Sequence, residues 1–75
     1  MPSMDGIVSI VQESRFQLTD ADGVSHLFLL SHSAGVEPEQ LPPLQHEQAR
    51  IRVRYRATRE NLIGFIADRL DRLDR

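Results

Sequence analysis

Cysteine and lysine are both absent from this chain of 75 residues. Without cysteine there is no disulfide and no zinc–thiolate site, the usual staples of a mini-protein, so the core has to be built from apolar side chains alone. A cysteine-free chain is also compatible with a reducing compartment. No apolar run is long enough to span a bilayer, and Met1-Pro2-Ser3-Met4-Asp5 has no basic region followed by an apolar stretch. The expectation is a cytoplasmic protein with no membrane partner. Every basic residue is Arg, which is either a matter of genome composition or a use for planar, bidentate donors.

What is present divides by charge. Residues 1–48 carry Arg15 against Asp5, Glu13, Asp20, Asp22, Glu37, Glu39 and Glu47, whereas residues 49–75 carry eight arginines against Glu60, Asp68, Asp71 and Asp74. The net charge of −2 therefore hides an acidic half and a basic half. A domain this short buries a modest fraction of its surface, so its stability is small or aided by a partner.

Gly6–Gln12 is rich in β-branched residues and reads as a first strand with apolar groups on both faces. Arg15-Phe16-Gln17-Leu18-Thr19 alternates with period two, placing Phe16 and Leu18 inward. Asp20-Ala21-Asp22-Gly23 is a turn, and Val24–Ser31 a third strand with Leu27 and Leu29 on one face and Phe28 and Leu30 on the other. That second apolar face needs cover, from Leu41 and Leu44 of a helix or from another protein chain. Residues 32–49 read as a loop with a short helix opened by Pro42-Pro43 and ending near Gln48. Arg50–Ala57 is the clearest strand, with Ile51, Val53 and Tyr55 on one face and arginines on the other. From Asn61 onward two readings compete. Leu62–Ala67 looks like a closing strand followed by a short helical turn or frayed tail, while Leu62, Ile66, Leu70 and Leu73 would also line one helix from Glu60. Gly64 argues against the helix.

Three strands, a helix and two more strands are the order of the oligonucleotide/oligosaccharide-binding (OB) fold: an all-β, five-stranded Greek-key barrel with one short helix, β1-β2-β3-α-β4-β5. The expected organisation is a single OB-like domain over residues 1–75, with 1–5 a flexible N-terminus and 71–75 a frayed or helical tail. Gly6-x-Val8, Arg15-Phe16-x-Leu18-x-Asp20 with Asp22-Gly23, and Val53-x-Tyr55 resemble small bacterial OB-type proteins, cold-shock-like and other nucleic-acid-binding barrels among them. The resemblance implies a binding module rather than an enzyme. Cold-shock proteins stack bases on outward aromatics of strands two and three. This chain departs from that pattern, since Phe16 is core and strand three offers His26 and Phe28 on one face.

The sharpest chemical feature is Arg50, Arg52, Arg54 and Arg56 on one strand face, with Arg59 in the next loop. Guanidinium groups about 7 Å apart along a strand suit a phosphate backbone, with Arg15, Gln17 and Thr19 of strand two as polar contacts. Single-stranded RNA or DNA, bound weakly and with little base readout, is the first expectation. The rival is a solvated strand face balanced by carboxylates on neighbouring elements. In that case the module serves protein–protein interaction or a structural role, as a homodimer or with another protein. His26 and His32 stand roughly 20 Å apart in an extended strand, so with His46 they share a metal ion or small ligand only if the chain bends after Ser31, and unliganded surface or cross-strand histidines are the expectation. Ser31-His32-Ser33 lacks an oriented base, and Asp20-x-Asp22-Gly23 lacks the later ligands of a calcium loop. No cofactor is expected.

Overall fold

The computed structural model describes residues 2–57 and 64–73. Five strands, β1 (Ser3–Gln12), β2 (Arg15–Thr19), β3 (Ser25–Leu30), β4 (Arg50–Ala57) and β5 (Phe65–Arg72), close into a barrel in the order β1-β2-β3-β5-β4. A 3₁₀ turn (Pro38–Gln40) and a short helix, α1 (Leu41–His46), lie between β3 and β4. This is the expected all-β barrel with its helix in the expected place. β3 and β5 are parallel, and the other neighbouring strands are antiparallel.

The period-two segments behave as the alternation requires. Phe16, Leu18, Phe28, Leu30, Ile51 and Val53 point inward and are buried. Phe28 is central: its ring lies 5.4 Å from Phe16, 5.5 Å from Tyr55 and 6.0 Å from Phe65. α1 closes one end of the barrel with Leu41, which is fully buried, and Leu44 packed beside it. Gln45 Nε2 donates to Ser9 O at 3.1 Å and ties the helix to β1.

Two β-bulges explain where the chain departs from simple alternation. The β1–β2 register shifts between Val8 and Ile10, so Val8 and Val11 both pack on the core although three positions apart. The β4–β5 register shifts at Arg54/Tyr55, where Ala67 and Arg69 are paired and Asp68 is the extra residue. The same three-residue step then brings Ala67 and Leu70 onto the core. Asp68-Arg-Leu-Asp-Arg-Leu looked helical because a bulged strand shows a spacing of three.

Three expectations are corrected. Ser3, Met4 and Asp5, placed in a flexible N-terminus, are paired residues of β1, matched with Arg54, Val53 and Arg52, and the ladder extends to Tyr55 N donating to Pro2 O at 3.0 Å. Asp71 and Arg72, placed in the tail, belong to β5, and Leu73 N donates to Arg50 O at 2.8 Å. β5 runs Phe65–Arg72; Leu62 and Ile63, with which the expected closing strand began, lie outside the described residues, as do Asn61 and residues 74–75. Finally, α1 does not cover the outer face of β3. Leu41 and Leu44 face the barrel core, and Leu29 remains 40 % exposed.

Candidate functional site

The arginines of β4 sit among carboxylates. Arg52 grips Asp5 of β1 with Nε and Nη2 at 2.8 and 3.0 Å, and Asp71 of β5 stands opposite it on the other side. Arg56 Nε donates to Asp68 at 2.9 Å, and Arg69 Nε lies 3.2 Å from both oxygens of Asp71. Arg72 reaches Glu47 at 2.8 Å, and Arg50 is likewise engaged. The Arg52 hydrogen bond holds the Asp5 carboxyl below its ordinary range, and Asp5 in turn raises the Arg52 guanidinium. Arg54 has no carboxylate partner among the described residues; it lies between Ser3 and Arg69. Arg50, Arg52, Arg54, Arg56 and the neighbouring Arg69 thus stand as five positive charges beside three negative ones, Asp5, Asp68 and Asp71, which pair with Arg52, Arg56 and Arg69. The stripe is partly compensated.

The chain has three Phe, one Tyr and no Trp. All four rings pack together: Phe16 and Phe28 are buried, and Tyr55 and Phe65, 4.8 Å apart and partly buried, complete the cluster around Phe28. None stands out alone from the surface as a stacking platform.

Nor does the structure join β2 to the arginine strand. Arg15, Gln17 and Thr19 all point outward on β2, but β1 lies between β2 and β4 and fills the gap with Ile7 and Ile10. Arg15 has no ion-pair partner among the described residues, while Thr19 Oγ1 donates to Ser9 Oγ at 2.9 Å. Arg59 lies outside the described residues.

What the sequence reading missed is the face these strands share. Reading across the sheet, Ile10 pairs with Gln17 and Gln17 with Leu27; one row along, Arg15 pairs with Leu29, Leu29 with Ile66 and Ile66 with Arg56. Ile7, Ile10, Val24 and Leu29 are exposed by 38, 48, 52 and 40 %. Aliphatic ridges on β1 and on β3 therefore flank the polar strand β2. A cleft of about 360 Å³ between Leu29, Ile66 and Arg56 and the Ser31–Pro38 loop continues this face. The doubly apolar pattern of strands one and three was the available signal, but the bulge in β1 and the inward-facing helix were not visible in it.

The remaining polar residues act locally. Asp20 Oδ1 accepts the N–H groups of Asp22 and Val24 at 2.9 and 3.0 Å, Gly23 takes φ +82°, and His26 Nε2 lies 2.9 Å from Asp20 Oδ2. The three histidines are not brought together: His26 is bound to this turn, whereas His32 and His46 are exposed in the β3–α1 loop and at the end of α1. Among the described residues no three His, Asp or Glu side chains form a metal cluster. Ser31 Oγ is engaged by Ser33, whose Oγ lies at 2.9 Å.

The Asp20 carboxyl sits below its ordinary range, chiefly because of His26, with the Val24 and Asp22 N–H groups adding to the effect. A carboxylate with a depressed folded pKa adds stability above its unfolded pKa of about 3.9 and loses it as pH falls through the folded value. Thermal unfolding followed from about pH 6 down to pH 2 is expected to show a falling midpoint once the pH drops below about 4, and Asp20→Asn to make that fall shallower. An unchanged slope in the variant would mean that the turn does not depend on the charge.

Among the described residues no helix is long and apolar enough to cross a membrane. The chain matches no protein family model, no curated protein and no solved structure.

Proposed function

We propose that this protein is a small OB-like binding module, non-enzymatic and cytoplasmic, that docks a protein partner through the outer face of β1, β2 and β3. The observation that carries this reading is the set Ile7, Ile10, Val24 and Leu29, the large apolar side chains that are exposed among the described residues. Aliphatic groups beside a polar strand give the mixed chemistry of a protein–protein contact, an apolar centre with hydrogen-bonding groups among it. The cysteine-free core suits a reducing compartment.

Single-stranded nucleic acid is the weaker reading for the same barrel. A phosphate backbone is drawn by uncompensated charge, and two arginines of this strand, Arg52 and Arg56, are held by Asp5 and Asp68, while Asp71 holds the neighbouring Arg69. Bases bind single-strand modules by stacking on aromatic rings, and the four rings of this chain are packed with its core. Arg54, beside Arg69, is the position where a polyanion would first be felt.

The test is a set of variants of the immobilised protein. A partner captured by the wild type and by Arg52→Gln and Arg54→Gln, but lost from Ile10→Glu and Leu29→Glu, is the expected pattern. Capture that survives both glutamates and fails with the arginine variants would overturn it.

A further inference from the structure

We propose that the partner this face is built for is a second copy of the chain, with β2 lying antiparallel over β2 about a two-fold axis through Gln17. The proposal rests on the protein-docking reading above and adds the identity of the partner.

Three features of the face point this way. The first is its charge polarity. Arg15 at one end of β2 has no ion-pair partner among the described residues, while the turn at the other end carries Asp20 and Asp22. An antiparallel arrangement brings each Arg15 over the acidic turn of the other copy, and does so twice, because a two-fold contact repeats every pair. A parallel arrangement would set Arg15 against Arg15. Glu13, in the β1–β2 turn beyond Arg15, is the carboxylate nearest that end in sequence.

The second feature is the centre. Gln17 carries both donors and an acceptor on its amide, so two copies of it satisfy one another across a two-fold axis without a charge to bury. Third, the same operation sets like ridge on like ridge. With the axis running across β2, Ile10 meets Ile10 and Leu27 meets Leu27 of the second copy, because both flank Gln17 in the same row. Leu29, one row toward Arg15, comes over the end of β3 at Ser25, next to the exposed Val24. A standard contact buries about 800 Å² from each partner, a modest share of the 5182 Å² that this chain exposes. Closure of the barrel leaves face-to-face packing, rather than edge pairing, as the geometry by which two copies meet.

Sedimentation of the full chain over a dilution series from millimolar to low micromolar tests this. The expected result is a mass that passes from twice 8.6 kDa to 8.6 kDa. Arg15→Glu or Asp22→Arg alone is expected to weaken the dimer about tenfold or more, and the two together to restore most of it, since charged groups across a contact set its register and exclude wrong pairings. Circular dichroism melts of each variant check that the barrel is intact, and Asp22 is chosen over Asp20 because Asp20 braces the turn. A chain that stays monomeric at millimolar concentration overturns the proposal, as does a dimer indifferent to Ile10→Glu and to both charge reversals. In the monomeric case the broader docking reading still stands if Ile10→Glu abolishes binding of a different protein, so the two failures are distinguishable.

Discussion

Phe28→Ala is expected to abolish cooperative unfolding of this barrel or to lower its melting temperature by tens of degrees. A domain of this length has roughly 4–11 kcal/mol of stability at 0.05–0.15 kcal/mol per residue. Truncating a buried Phe costs about 3–5 kcal/mol, because the surroundings collapse only partly into the space left behind. Phe28 is fully buried and holds ring contacts with Phe16, Tyr55 and Phe65, residues that belong to β2, β4 and β5. One truncation therefore loosens every strand that meets at the middle of the barrel except β1. Each kcal/mol is worth about 4–8 °C in a domain of this size. A differential scanning calorimetry trace that moves by only a few degrees would show that the aromatic cluster is not the structural centre.

Gly64→Ala is expected to open the seam between β3 and β5. A Cβ at Gly64 would collide with the Leu27 carbonyl oxygen, and that atom is backbone with no rotamer to move it away. The residue also takes φ +156°, which side chains rarely adopt. The β3–β5 ladder is short, from Phe28/Phe65 to Leu30/Ala67, and it closes the barrel. Overpacking of this kind costs about 1–3 kcal/mol and sometimes more. Gly23→Ala is the control. It also lies at positive φ, +82°, but its added Cβ meets nothing within 4 Å, so it carries the backbone strain without the collision. Faster hydrogen exchange in Gly64→Ala at Ser31, whose N–H donates to Ala67 O across this seam at 2.9 Å, with little change in Gly23→Ala, is the expected signature. Equal effects from the two would locate the cost in dihedral strain alone.

Much of this architecture is legible in the residues. Arg15–Thr19 and Arg50–Ala57 alternate so strictly that their inward sets, Phe16 with Leu18 and Ile51 with Val53, follow from period two. Asp20–Gly23 is written as a turn by its side-chain chemistry, and the helix between β3 and β4 by its paired prolines. The ends of the chain were harder to read. A bulge is one extra residue in one strand, and its only trace in sequence is a step of three, which is also the step of a helix. Hence Asp68–Leu73 read as a helical turn or frayed tail, and its place in β5 through Arg72 is set by the β4 ladder, which a lone sequence does not display.

The candidate site divides in the same way. That four arginines share one face of β4 could be read directly, but whether they are free depends on neighbours more than forty positions away, as with Arg52 and Asp5. The barrel sets Asp5, Asp68 and Asp71 beside the stripe and Ile7 and Ile10 between it and β2. Both placements are matters of strand order. The apolar surplus on strand three was visible, and only the fold could show that α1 turns its leucines inward and leaves Leu29 exposed.

The central claim is that the arginine strand is an ion-paired face and that binding belongs to the aliphatic face across β1. An amide-shift map of the labelled protein during titration with a short single-stranded oligonucleotide, in about 50 mM salt, tests it most directly. The account predicts that the amides of Arg50, Arg52, Arg54 and Arg56 stay in place up to high-micromolar oligonucleotide. A saturable shift along those four residues that fades as salt rises toward about 200 mM would contradict it.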